Sequence, residues 1–236
     1  VWTDRPALVH QPADVLKDEF NGESTASKLA RVREQMEKEE AQYHIISTLD
    51  DIAWILNVRG NDIPHVPVVL SFLVIGKEDA MWFVEENALS DAVKEMAAEC
   101  GITIRPYEDV YAYAATIPEH STVLLDKRKV NYRITNALSE TVHIVSKANP
   151  SQLMKAIKNE IELENTRKAH LLDGIAVTKF MYWLKKNVGK IPMDEVSVSD
   201  YLQSLREQME GYRDISFDTI AGYNANAAMM HYKAEP

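Results

Sequence analysis

A single cysteine, Cys100, stands in 236 residues. No internal disulfide can staple the fold, and a reducing, cytoplasmic setting is expected. Cys100 closes an amphipathic stretch, "EMAAECG", and reads as a packing residue rather than a nucleophile, because free cysteine behaves as a small hydrophobe when buried. Long apolar runs are missing as well. The longest, residues 66–76 ("VPVVLSFLVIG"), falls short of the roughly 18 residues a membrane span needs, and its β-branched content suits a buried strand. The opening "VWTDRPALVH" has no basic segment followed by an apolar one, so neither a secretory leader nor a membrane partner is expected. Positive charge is in deficit: 26 Lys and Arg face 36 Asp and Glu, a net charge of −10. That balance excludes non-specific nucleic-acid binding, which needs a basic face, and leaves a basic partner or a cationic metal open.

The common catalytic spacings are also absent. The seven histidines (His10, His44, His65, His120, His143, His170 and His231) include no HExxH and no i, i+4 pair that would set two imidazoles on one metal. No GxSxG elbow supports a serine hydrolase, and no GxxxxGK[ST] or GxGxxG loop supports nucleotide binding. Acidic runs such as "EQMEKEE" and "NEIELE" fall on helix faces and read as solvated surface.

What is present is an alternation of strands and helices. Residues 1–23 read as irregular, punctuated by Pro6, Pro12 and Gly22. A helix follows from Ser24, with Leu29, Val32 and Met36 on one stripe. "YHIISTL" (43–49) reads as a strand, and "DDIAWILNVRG" as a short helix closed by Gly60. Residues 68–86 form a hairpin around Gly76 to Asp79, and helices and strands then alternate to about residue 146. The pattern predicts an α/β domain with a mixed sheet over residues 1–150. At Asn149 the pattern changes. "NPSQ" predicts a capping box from Asn149 and Gln152, with Pro150 at the first helical position, and "NEIE" predicts another from Asn159 and Glu162. A long helix carries Ala169, Leu172, Ala176, Phe180 and Trp183, and stops at Lys185, Lys186 and Gly189. A second carries Val198, Leu202, Leu205 and Met209, and "ISFDTIAG" (215–222) reads as a strand. Residues 151–236 thus resemble an incomplete second domain.

Two stretches stand apart chemically. In "LNVRGNDIPHVPV" (56–68), Arg59, Asp62 and His65 crowd a loop between a helix and a strand, where either a site or a structural turn is possible. "GYNANAAMMHY" (222–232) combines small residues, which let a backbone approach a ligand, with His231 at its end. A lone histidine after an apolar pair is more often a satisfied core residue, so the residues alone leave both roles open.

In order, "VWTDRPALV", "TLDDIAWILNVRGNDIPHVPV", "NPSQLMKAIKNEIELENTRKAHLLDGIAV" and "DISFDTIAGYNANAAMMHY" resemble aminopeptidase P, the Xaa-Pro aminopeptidases in their long three-domain form. The last stretch is shared more widely among the pita-bread metallopeptidases, including prolidase and creatinase. The resemblance implies a creatinase/prolidase N-terminal-like α/β domain (mixed sheet flanked by helices, ribonuclease-H-like), followed by the opening of a pita-bread α+β domain. It also implies that the chain is a fragment of a metalloaminopeptidase, inactive alone. Two aspartates, a histidine and two glutamates hold two Mn2+ ions in that family, and all would lie past His231, so no metal ligand is expected here. His231 matches the family histidine beside the dinuclear centre and is implied as a catalytic residue hydrogen-bonded to substrate or its tetrahedral intermediate. Arg59, Phe217, Ile220, Asn226 and Tyr232 are implied as substrate-binding or pocket-shaping residues. Asn224 and Ala227 replace glycines that the family usually carries.

The implied substrates are peptides with proline second, and the parent protein is expected to be a homodimer. A prolidase-like dipeptidase keeps the same fold, but the long middle-domain likeness argues against it. A metal-free, aminopeptidase-like module that binds basic histones or peptides suits the net charge of −10. A purely structural or dimerising role is a third alternative.

Overall fold

The computed structural model describes residues 2–4 and 6–235; Val1 and Arg5 of the opening "VWTDRPALV" stretch, and Pro236, lie outside the described residues. The chain forms two compact units, Val1–Glu162 and Leu163–Pro236.

The first unit begins with β1 (Asp14–Val15) and α1 (Asp18–Asn21), then α2 (Thr25–Lys38), β2 (Tyr43–Ile46), α3 (Leu49–Leu56) and β3 (Val58–Arg59). The hairpin β4 (Ser71–Gly76) and β5 (Ala80–Val84) comes next. After it run α4 (Asp91–Glu99), β6 (Ile102–Arg105), α5 (Val110–Ala114), β7 (Thr122–Leu125), α6 (Tyr132–Ala137), β8 (His143–Ser146) and α7 (Pro150–Ala156). Six strands make one sheet in the order β6-β5-β4-β2-β7-β8. β2, β4 and β5 pair antiparallel around the hairpin, and β6, β7 and β8 join parallel to their neighbours. The mixed sheet expected from the sequence is therefore present.

Period-two alternation divides the core between the faces of the sheet. Leu73, Ile75, Trp82, Val84 and Leu124 pack with Leu29, Val32 and Met36 of α2, Ile55 of α3 and Val93 of α4. Phe72, Val74, Phe83, Val123 and Leu125 pack with Val110 of α5 and Ile134 of α6. Cys100 borders the first cluster, and burial pushes its thiol above the usual range.

Several local expectations change. Residues 1–23 contain β1 and α1, because Asp14 and Val15 find backbone partners in Arg59 and Val58. The strand begun at Tyr43 ends at Ile46, since Leu49 already belongs to α3. That helix is closed by Asn57 in the left-handed conformation (φ 52°), not by Gly60. Gly60 is needed for a different reason: a Cβ there would stand 2.8 Å from Val69 Cγ2. Asn149 makes no side-chain cap for α7, because its amide is drawn to Thr48 Oγ1 (2.9 Å) and Asp51 Oδ2 (3.1 Å). The Asn159 and Glu162 box does form, with reciprocal bonds of 2.9 and 3.0 Å.

The second unit holds most of α8 (Glu160–Asn187), then α9 (Glu195–Glu207) and a 3-10 turn at Asn224–Ala228. Met209 falls beyond α9. Residues 215–222 form no strand: among the described residues of this unit there is no second strand to supply the ladder bonds that an extended segment requires. Among the described residues no helix is long and apolar enough to cross a membrane.

Candidate functional site

The second candidate stretch is shaped by bonds to α9. That helix starts at a capping box: Asp194 accepts from the Ser197 amide at 2.7 Å, and the Ser197 hydroxyl meets the Asp194 amide at 2.9 Å. The box fixes the first helical residue, Glu195, whose carboxylate gathers the 223–232 segment. Glu195 Oε1 accepts the backbone N–H of Tyr223, 28 residues away. Glu195 Oε2 accepts the Tyr232 hydroxyl at 2.5 Å, and Asn226 Nδ2 reaches the two oxygens at 3.2 and 3.1 Å. Asn226 also donates to the Tyr232 hydroxyl at 3.0 Å. The Tyr232 hydroxyl, then the Tyr223 amide, hold the Glu195 carboxyl below its ordinary range, and the same bond raises the Tyr232 phenol.

Inside this frame the chain turns twice through left-handed backbone, at Asn224 (φ 54°) and His231 (φ 54°). Asparagine and histidine are enriched among non-glycine residues that accept this region. Gly222 uses its missing side chain against the protein's own backbone: a Cβ there would stand 2.9 Å from Ala227 Cα. Smallness here serves the turn itself, not only the approach of a ligand.

Of the sequence-predicted residues, Asn226 and Tyr232 share the Glu195 carboxylate. His231, between the turn and Tyr232, is exposed, as are Phe217 and Ile220. Lys233 Nζ lies 3.3 Å from Asp218 Oδ2, which draws the 217–220 region toward the chain just past Tyr232. Glu195 was not among the residues expected from the sequence. Its local signal was the Asp194 and Ser197 cap, which marks the start of α9, but its partners are 28 to 37 residues distant.

Arg59 belongs to the first unit. Its Nη1 donates to the carbonyls of Ala53 (2.7 Å) and Val58 (3.1 Å), binding the end of α3 to β3. Beside it, the Asp62 carboxylate accepts the amides of Gln11 (2.6 Å) and Leu70 (2.7 Å), with His10 Nδ1 at 3.8 Å. In this loop the charged residues hold backbone together.

Among the described residues no group of three or more His, Cys, Asp and Glu side chains is arranged to hold a metal ion. Glu195 has both oxygens engaged by Tyr223, Asn226 and Tyr232. These residues do not fit a metal site by themselves.

Comparison with known proteins covers the whole chain. Residues 4–162 match the family described as the Creatinase/Prolidase N-terminal domain, and residues 164–236 match metallopeptidase family M24. The probable Xaa-Pro aminopeptidase P of Neurospora crassa is 36% identical over 247 aligned residues, covering 100% of this chain and 36% of its own length. Xaa-Pro aminopeptidase 1 of Dictyostelium discoideum is 35% identical, with 93% of this chain and 35% of its own length covered. The crystal structure of a Caenorhabditis elegans X-prolyl aminopeptidase, described as a cytosolic enzyme with a di-nuclear active site, superposes with a TM-score of 0.85. It is 30% identical and covers 93% of this chain and 37% of that one. A Pyrococcus horikoshii prolidase shares the fold at a TM-score of 0.60 and 20% identity, over 86% of this chain and 55% of its own. The chain spans 35 to 36% of the length of these two curated relatives.

Proposed function

From a chain that belongs to the creatinase/prolidase N-terminal domain family and runs on into metallopeptidase family M24, we propose that it is part of a metal-dependent Xaa-Pro aminopeptidase, which releases an N-terminal residue standing before proline. The observation that carries this reading is the continuous likeness to Xaa-Pro aminopeptidase P, 36% identical across 100% of the chain. Such a likeness spans both units and is not confined to the more widely shared fold. A dedicated enzyme suits this substrate because proline lacks an N–H and fixes φ, so subsites that read an ordinary extended backbone reject it.

In this reading the metal ligands lie outside these 236 residues, and two Mn2+ ions held there would supply Lewis-acid chemistry to the reaction. The chain's own share is a wall. His231 donates a hydrogen bond to the carbonyl oxygen as it gains negative charge, while Asn226 and Tyr232 hold the turn from which His231 projects. Phe217 and Ile220 offer apolar surface to the substrate. The working protein is a cytoplasmic homodimer.

The test is an assay of the full-length protein on a peptide with proline second and on its alanine counterpart, before and after chelation. The expected outcome is release of the first residue from the proline peptide alone, lost on chelation and restored best by Mn2+. His231→Ala should lower kcat by about 10² to 10³, the range for removing one oxyanion donor. Equal cleavage of the alanine peptide, or turnover of Xaa-Pro dipeptides alone, overturns the aminopeptidase reading. Loss of all turnover with tight binding of a basic peptide replaces it with the binding-module reading.

A further inference from the structure

Glu195 sits in the first turn of a helix, carries no place in the proposed chemistry and still receives the backbone of Tyr223, the amide of Asn226 and the hydroxyl of Tyr232. Those partners bracket His231. Tyr223 opens the segment that leads to it and Tyr232 follows it directly. A carboxylate with two oxygens is the simplest group able to bind both ends at once, because each oxygen accepts more than one hydrogen bond. Charge-assisted bonds of this kind are roughly twice as strong as neutral ones. The segment needs such a restraint. It contains two non-glycine residues at positive φ, and its side chains are largely exposed, so apolar packing contributes little to its shape.

We propose that Glu195 is a positioning residue for His231: its carboxylate ties the two ends of the 223–232 segment to α9 and so fixes where the imidazole stands. The inference rests on the reading of His231 as the group that meets the substrate. The chemistry needs this because a hydrogen-bond donor stabilises developing charge only from the right place, and a displacement of about 1 Å can cost on the order of 10²-fold in rate. Glu195 does not touch the reacting atoms and acts only through the turn.

Two measurements on Glu195→Gln and Glu195→Ala test it. The first uses the full-length protein and needs no activity: ultraviolet titration of Tyr232, identified by its loss in Tyr232→Phe, together with hydrogen exchange at the Tyr223 amide. In the parent chain Tyr232 should titrate above its ordinary range, because its hydroxyl bonds the Glu195 carboxylate, and the Tyr223 amide should be protected. Both variants should return Tyr232 toward the ordinary range, and Glu195→Ala should speed exchange at Tyr223 at least tenfold. The exposed control Glu210→Gln should do neither. The second uses full-length enzyme. Glu195→Ala should lower kcat about tenfold to a hundredfold and move KM less than about threefold, with Glu195→Gln in between. Combined with His231→Ala it should add almost nothing, since residues that act as a unit are non-additive.

Unchanged titration and exchange in Glu195→Ala overturn the clamp itself. A normal kcat beside altered titration and exchange, or full additivity with His231→Ala, overturns its positioning role. If the unsubstituted full-length protein shows no Xaa-Pro activity, the functional reading fails and the positioning role falls with it. In that case the titration and exchange results still decide whether the clamp exists.

Discussion

In residues 1–162 the sheet hides Trp82, Phe83, Ile45 and Ile75 completely, with helices closing both faces. In residues 163–236, Ala176 and Leu205 are the buried apolar side chains among the described residues, while Met230 is 91% and Tyr223 77% exposed. The first unit therefore draws its stability from apolar burial, the dominant favourable contribution to folding. The second relies on helix pairing through Trp183 and Tyr201, whose rings lie 4.0 Å apart, and on polar ties such as Arg206 to Asp173 at 2.6 Å. One region specifies its own shape, and the other holds prearranged pieces.

The contrast breaks most sharply on core truncation. Trp82→Ala should cost about 4 kcal/mol, the range for removing a buried aromatic, whereas Met230→Ala should stay within about 0.5 kcal/mol. Urea unfolding followed by circular dichroism checks both, and similar costs for the two would erase the distinction.

Acid probes the same core differently. His44 is fully buried in β2, with Nδ1 2.9 Å from the Leu124 carbonyl, and burial lowers its pKa from 6.5 to about 4. The unfolded chain takes up this proton first, so the contribution is intact above pH 6.5 and is lost as pH falls toward 4, amounting to about 3 kcal/mol. Urea midpoints between pH 7.5 and 4.5 should fall accordingly, and His44→Leu should flatten that slope. Asp51 acts lower on the scale. Burial favours its neutral form, but bonds from Lys155, Thr48 and Asn149 hold its pKa below 3.8, so its contribution disappears only under stronger acid. Asp51→Asn removes the charge facing Lys155 Nζ, 2.5 Å away, and should cost about 2 kcal/mol at neutral pH.

The same difference governs what could be read from the sequence. Strands of the first unit were visible because their burial is written as local β-branched and aromatic runs, and the starts of α2 and α8 because Ser24 and Asn159 are local caps. Misreadings arose where a distant partner outbid the local one. Asn149 looks like a cap but bonds to Thr48 and Asp51, about a hundred residues earlier. The 215–222 segment has the composition of a strand and no neighbouring strand among the described residues. In the candidate site, Asn226, His231 and Tyr232 were reached through family likeness. Glu195 was missed because nothing in "MDEVSVSD" says which residues will arrive at its carboxylate.

The finest test sits in the turn. A methyl group added in Gly222→Ala would stand 2.9 Å from Ala227 Cα and 3.1 Å from both Ala227 N and Asn226 O. Contacts that short with backbone cannot be relieved by a rotamer change, so the turn must open, at a cost of about 1 kcal/mol or somewhat more. In the first unit a strain of that size would be resisted by close packing on both sides of the sheet. Here little but the Glu195 bonds opposes it, so the movement should stay within residues 222–232. Hydrogen exchange should then accelerate at Tyr223 while amides in β4 and β5 keep their protection and the urea midpoint barely moves. A lowered global midpoint would mean instead that the turn is coupled to the core, and that the second unit is less a set of separate pieces than its exposed surface implies.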